Sequence, residues 1–223
     1  KIGILGDIGS GKTYIANNFG YPVFNADIEV GKLYKKDKNV FLKLKKILPR
    51  YIKKFPVDKN EISKAILADK KNLSKIIKIV HLKIRAKLNL FLKKNIKKKI
   101  IILDIPLLLE NKINNKKDIL IFVHSKKSEI LKRIKKRKNF NLKLYNKFKN
   151  IQLPASYKKK KSEFIIKNDF TKVEEELLGP DYKYYDFVTK KTWVPFSSFN
   201  TKFPKLNNKP IHKWKKYLSE LEI

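Results

Sequence analysis

Apolar residues follow two alternating patterns along this chain. Short continuous runs read as buried strands: Lys1-Ile-Gly-Ile-Leu5, Pro22-Val-Phe-Asn25, Ile100-Ile-Ile-Leu103, Ile119-Leu-Ile-Phe-Val123 and Phe164-Ile-Ile166. Runs without polar interruption suit parallel strands covered on both faces. Between them the apolar spacing becomes helical. Thr13 to Phe19 predicts a short helix, and Lys32 to Leu48 carries Val40, Phe41, Leu44, Ile47 and Leu48 at helical intervals. Asp58, with Glu61 three residues on, forms a capping-box arrangement ahead of Ile62, Ala65, Ile66 and Leu67. The longest helix is expected over Asn72 to Lys93, where Leu73, Ile77, Val80, Ile84, Leu88 and Phe91 make one stripe. Ser125 or Ser128 is placed to start a helix through Ile130, Leu131 and Ile134, and a last helix is expected over Thr171 to Leu178. Strands alternating with helices argue for an α/β fold with a doubly wound parallel sheet of five strands.

The pattern stops after Leu178. Residues 179–223 hold Trp193, Trp214, four tyrosines and four prolines, with no strand–helix rhythm until a short helix is expected near Lys213 to Leu221. This aromatic-rich extension is expected to wrap the core as a strap, with docking to a partner as the alternative.

Composition narrows the class. The 223 residues suffice for one substantial core with a small appendage. With no cysteine, disulfides and thiolate metal sites are excluded, and a reducing, cytoplasmic setting is expected. No secretory apolar segment is expected, since the first residues lead straight into a glycine loop, and Ile100 to Leu109, interrupted by Asp104, is too short to span a bilayer. Methionine is absent, so residue 1 is expected not to be the native start. The formal net charge of +35 implies non-specific affinity for polyanions. Only four basic residues are arginine, namely Arg50, Arg85, Arg133 and Arg137, which argues against dedicated base recognition.

One segment carries explicit chemistry. Gly6-Asp-Ile-Gly-Ser-Gly-Lys-Thr13 fits the phosphate-loop pattern, with a strand before it and a helix after it. Gly6, Gly9 and Gly11 let the backbone curl so that N–H groups, including those of Ser10 and Tyr14, converge on phosphate. Lys12 is placed to reach the β- and γ-phosphates of ATP, and the Thr13 hydroxyl to ligate Mg²⁺. The loop alone specifies a nucleotide and not an acceptor. Asp27, in Phe24-Asn-Ala-Asp-Ile28, and Asp104, in Leu103-Asp-Ile-Pro-Leu-Leu-Leu-Glu110, each follow a strand, where doubly wound sheets bind ligands. His81 and Arg85 lie four apart on one helix face. The alternative for Asp27 and Asp104 is that they cap the elements that follow them.

Taken together, these residues resemble the dephospho-CoA kinase family, which shows G-G-I-G-S-G-K-S, V-I-D-A-D, H-P-x-I-R and D-x-P-L-L-F-E in this order. The resemblance covers residues 1 to about 178. It implies a P-loop kinase with a helical substrate-binding region (about 32–94) and a lid (about 138–161). The implied reaction moves the γ-phosphoryl of ATP, used with Mg²⁺, to the ribose 3′-hydroxyl of dephospho-CoA. Carried over by position, Lys12, Asp27, Arg133 and Arg137 are catalytic, with Asp27 as base and the arginines at the lid's entrance. Asp27, His81, Arg85, Asp104 and Glu110 then border the acceptor, Asn168 lies near the adenine pocket, and Gln152 takes the place of the lid glutamine. Three features depart from the family pattern: Asn25 replaces the first aspartate of D-A-D, Leu82 replaces the proline after His81, and the lid is rich in lysine. Two other readings stand beside this one: a different small-molecule P-loop kinase, and a kinase-derived subunit held on RNA by its charge.

Overall fold

The computed structural model describes residues 1–137 and 140–168. The helix expected over 171–178, the aromatic extension 179–223 and Lys138, at the start of the expected lid, lie outside the described residues. The elements in chain order are β1 (Ile2–Gly6), α1 (Lys12–Asn18), β2 (Val23–Asn25), α2 (Ala26–Lys36), α3 (Lys38–Ile47), α4 (Lys59–Ala68) and α5 (Lys70–Lys94), then β3 (Ile102–Asp104), β4 (Ile119–His124), α6 (Lys127–Lys135), α7 (Leu142–Asn150), α8 (Ala155–Lys161) and β5 (Phe164–Lys167). They group into two compact units. Of the described residues, the first comprises 1–24, 97–137, 140 and 152–168; the second comprises 25–96 and 141–151.

The first unit is built on the sheet, whose strand order is β2-β3-β1-β4-β5. β1 pairs in parallel with β3 and β4, and β4 with β5. All five residues of β1 are buried, as are the three of β3, which is why these strands read as unbroken apolar runs. Ile2, Ile4, Ile102, Ile121, Val123, Phe164 and Ile166 form the core with Ile15, Ala16 and Phe19 of α1. Gly3 lets Leu108 close on β1: a Cβ there would lie 2.5 Å from Leu108 Cδ2. The chain leaves β1 toward β2 on one side, and β4 joins on the other. β1 is therefore the topological switch point, and the loop after it is where this architecture binds ligands.

The second unit is helical. α5 is its spine, with α2, α3 and α4 packed along it and α7 packed on α4. Leu73, Ile76, Val80, Ile84 and Leu88 are the apolar residues α5 buries; Ile76 takes the position expected of Ile77, which is half-buried, as is Phe91. Asp58 caps α4 as expected, accepting from Asn60 N–H at 2.8 Å. The helical run expected over 32–48 is two helices. Asp37 adopts extended backbone between them and accepts from Val40 N–H at 3.0 Å, ending α2 and starting α3. Among the described residues, no helix is long and apolar enough to cross a membrane.

Candidate active site

The β1–α1 loop has the backbone of an anion cradle. Gly9 and Gly11 sit at φ 86° and 92°, in the left-handed region that L side chains rarely adopt. A Cβ on Gly9 would also meet Ile134 of α6 at 2.6 Å, so this glycine is required twice over. Gly11 is the N-cap of α1, and no side chain caps that helix start. α2, α3, α4, α5 and α7, by contrast, each start under an Asn or Asp side chain. Uncapped N–H groups at a helix start can serve an anion.

The loop is fixed from behind. Ser10 is fully buried, and its carbonyl accepts from Ser125 Oγ at 3.1 Å and from Asn168 Nδ2 at 3.0 Å. These donors follow β4 and β5, so the ends of two strands pin the loop. Ser10 Oγ itself is buried with no hydrogen-bond partner among the described residues. Lys12 is also buried, and its Nζ donates to the carbonyls of Gly6 at 3.1 Å and Asp7 at 2.8 Å. The Thr13 hydroxyl donates to Asp104 Oδ2 at 2.6 Å, and Asp104 is only 3% exposed. Thus a short hydrogen bond joins the first turn of α1 to the end of β3.

The Asp104–Glu110 segment works at both ends. While Asp104 faces Thr13, Glu110 Oε1 accepts from Leu153 N–H at 2.8 Å, and the Gln152 amide approaches Pro106 O at 3.5 Å. Glu110 Oε2 is buried with no partner among the described residues. Arg133 and Arg137 are exposed, in the last turn of α6 and just beyond it, on the helix whose Ile130 and Ile134 back Gly9. Tyr14 is exposed on the first turn of α1. Asn168, expected near the adenine, here holds the loop through Ser10. Ser125, expected to start a helix, instead serves the loop: α6 begins at Lys127 with no side-chain cap, and Ser128 lies inside it.

The remaining expected residues belong to the helical unit. Asp27 occupies the first turn of α2, and the cap of that helix is Asn25, whose side chain accepts from Ile28 N–H at 2.8 Å. Asp27 is therefore not the capping residue. His81 is half-buried and Arg85 exposed on α5. Burial, and next the Arg85 guanidinium, push the His81 pKa below its ordinary 6.5, so the imidazole is neutral at neutral pH. Lys32, Lys36, Lys38 and Lys87 line, with Leu33, Asp37 and Asn39, an open cleft of about 600 Å³ in the same unit, and Glu29 pairs with Lys32 at 2.6 Å and with Lys87 at 3.1 Å.

Sequence reasoning missed one buried cation. Lys158 of α8 is 1% exposed, and its Nζ lies 3.4 Å from Gly6 O and 3.6 Å from Asp7 Oδ1. The only sequence signal was the run Lys158–Lys161, which does not reveal which lysine faces inward.

Comparison with known proteins agrees with this geometry. The family model for dephospho-CoA kinase matches residues 1–174. Dephospho-CoA kinase of Wolbachia sp. subsp. Brugia malayi is 34% identical over 176 residues, covering 77% of this chain and 90% of the relative. That of Bacillus cereus is 27% identical over 182 residues, covering 78% of this chain and 90% of the relative. Among solved structures, TT1252 from Thermus thermophilus shares the fold with a TM-score of 0.60 at 23% identity, over 76% of this chain and 88% of that one. Dephospho-CoA kinase from Campylobacter jejuni superposes with a TM-score of 0.51 at 26% identity, over the same shares of the two chains. The fold, the phosphate loop and these matches agree, and the chain belongs to the dephospho-CoA kinase family.

Proposed function

We propose that this chain phosphorylates the ribose 3′-hydroxyl of dephospho-CoA from ATP, with the loop from Gly6 to Thr13 holding the nucleotide's phosphates. The observation that carries this reading is the 2.6 Å bond from the Thr13 hydroxyl to the buried Asp104 carboxylate. It places a hydroxyl and a carboxylate together beside an uncapped glycine loop, the donor set that a nucleotide's divalent cation needs. Mg²⁺ carried with ATP is typically held by one or two protein oxygens plus phosphate oxygens, so a cage of carboxylates is not required. Thr13 would ligate it and Asp104 would hold its water; bound there, it would neutralise charge on the β- and γ-oxygens.

The chain's own groups supply the rest. Lys12 would exchange the carbonyls of Gly6 and Asp7 for phosphoryl oxygens and stabilise the charge that grows as the γ-phosphoryl departs. Arg133 and Arg137, at the exposed end of α6, would add guanidinium forks to that group. Asp27 would orient the acceptor hydroxyl and take its proton. His81, neutral, and Arg85 would border the acceptor, and the lysine-lined cleft of the helical unit suits its phosphates. A cytoplasmic setting, where ATP is available and cysteine-free chains need no oxidant, belongs to the same reading.

A coupled assay with ATP and dephospho-CoA tests it. Turnover should depend on both substrates and on Mg²⁺, and the product should carry its new phosphate on the 3′-oxygen. ATP turnover equal for nucleosides or sugars lacking the CoA moiety would favour a different small-molecule kinase.

A further inference from the structure

α8 ends in four consecutive lysines, and the side chains do not share one environment. Lys159, Lys160 and Lys161 are exposed, whereas Lys158 is buried to 1% with its ammonium against the start of the phosphate loop. Burying an ammonium is costly unless its three donors are met by close acceptors. Lys158 is poorly served in this respect. Asp7 Oδ1 lies at 3.6 Å, beyond the 2.7–2.9 Å typical of a charge-assisted hydrogen bond, and that carboxylate is 36% exposed. Gly6 O lies at 3.4 Å and already accepts from Lys12 Nζ at 3.1 Å. Two ammonium groups therefore converge on Gly6 and Asp7, and Lys158 meets the anionic oxygen of Asp7 only at 3.6 Å.

Asp7 sharpens the point. A carboxylate inside a loop that gathers N–H groups for an anion repels the phosphates that loop binds. A buried cation beside it offsets that repulsion. We propose that Lys158 is a second phosphate-binding lysine, set beside Asp7 and Gly6 so that its ammonium donates to the terminal phosphoryl oxygens of the nucleotide. The inference rests on the phosphate-loop reading above and extends it to a residue that lies far from the loop in sequence. Because α8, at the end of the segment expected as the lid, packs on β1 and β4, the ammonium is held against the sheet of the first unit.

The test is calorimetric binding of ATP and of inorganic tripolyphosphate to the full chain, comparing wild type with Lys12→Ala, Lys158→Met, Lys158→Arg and Asp7→Asn. Lys158→Met keeps the volume and removes the charge, so it should weaken both ligands by about tenfold or more, the usual worth of a charged hydrogen bond. Lys158→Arg should recover most of the loss. Asp7→Asn should bind both ligands more tightly, since it removes the competing anion. If Lys158→Met binds ATP within about twofold of wild type while Lys12→Ala does not, Lys158 is only a counter-ion for Asp7 and the proposal fails. Should Lys158→Met not fold, Asp7→Asn decides: tighter binding supports the proposal, and unchanged or weaker binding overturns it. A wild-type chain that binds neither ligand would instead sink the underlying phosphate-loop reading.

Discussion

Asp27 sits one turn into α2 behind Asn25, and the division of labour between them explains a departure from the family's D-A-D pattern. Asn25 caps the helix through Ile28 N–H, a task its side-chain carbonyl performs as well as a carboxylate. The start of α2 therefore does not depend on the Asp27 carboxylate. Asp27→Asn is nearly isosteric, so ATP affinity should stay within about twofold while turnover falls about a hundredfold or more, the worth of a positioned general base. Calorimetry and initial rates measure the two separately. A parallel loss of both would make Asp27 a structural residue. Leu82 also departs from the family's proline, and it lies 71% exposed in the middle of α5. There it leaves the helix unbroken, whereas proline would remove a hydrogen bond and crowd the preceding turn. His81 and Arg85 thus keep one continuous helical register.

At the level of elements, the split at Asp37 is the clearest test of local chemistry. Its side chain starts α3 through Val40 N–H and pairs with Lys83 of α5 at 3.2 Å, inside the helical unit. Burial works against its ionisation, but the bonds from Val40 and Lys83 outweigh it and hold the carboxyl below its ordinary pKa of 3.8. Asp37→Ala should therefore cost about 1 kcal/mol, seen as a lower urea midpoint with an unchanged slope. A folded-state pKa below the unfolded one gives stability that is present above pH 3.8 and lost as pH falls through the depressed value. The gap between wild type and variant should close in that window. An equal gap at pH 3 and pH 7 would locate the effect in packing.

The same position shows what the sequence made legible. Apolar spacing finds which face is buried, and both α2 and α3 satisfy it, so periodicity alone ran them together. The break was readable only as cap chemistry, from an aspartate three residues before Val40. The strands and the phosphate loop were legible because each is a contiguous segment with a local rule: unbroken burial for one, glycine at positive φ for the other. Ser125, Asn168 and Lys158 obey no local rule. Each reaches the loop across more than a hundred residues of chain, brought there by strand order.

At the scale of the whole molecule the dominant fact is charge: 55 lysines and arginines against 20 aspartates and glutamates. The ion pairs among the described residues, such as Lys132–Glu129 and Lys32–Glu29, are largely at the surface, where they add little stability. The excess is therefore better understood as a field than as a set of bonds. ATP and dephospho-CoA are both anionic, so a positive field raises their local concentration and speeds encounter. Screening shortens its reach to about 10 Å at 0.1 M salt. Raising salt from about 50 to about 300 mM should lower kcat/KM several-fold, mostly through KM, because the buried contacts of Lys12 are screened far less than the surface field. RNA of any sequence should inhibit at the low end of that range and release steeply toward physiological salt, as counterion release requires. Filter binding beside the kinase assay measures both. Sequence-selective RNA binding that persists at physiological salt would mean that the charge serves a dedicated RNA partner, and a salt-independent KM would mean that it serves neither substrate.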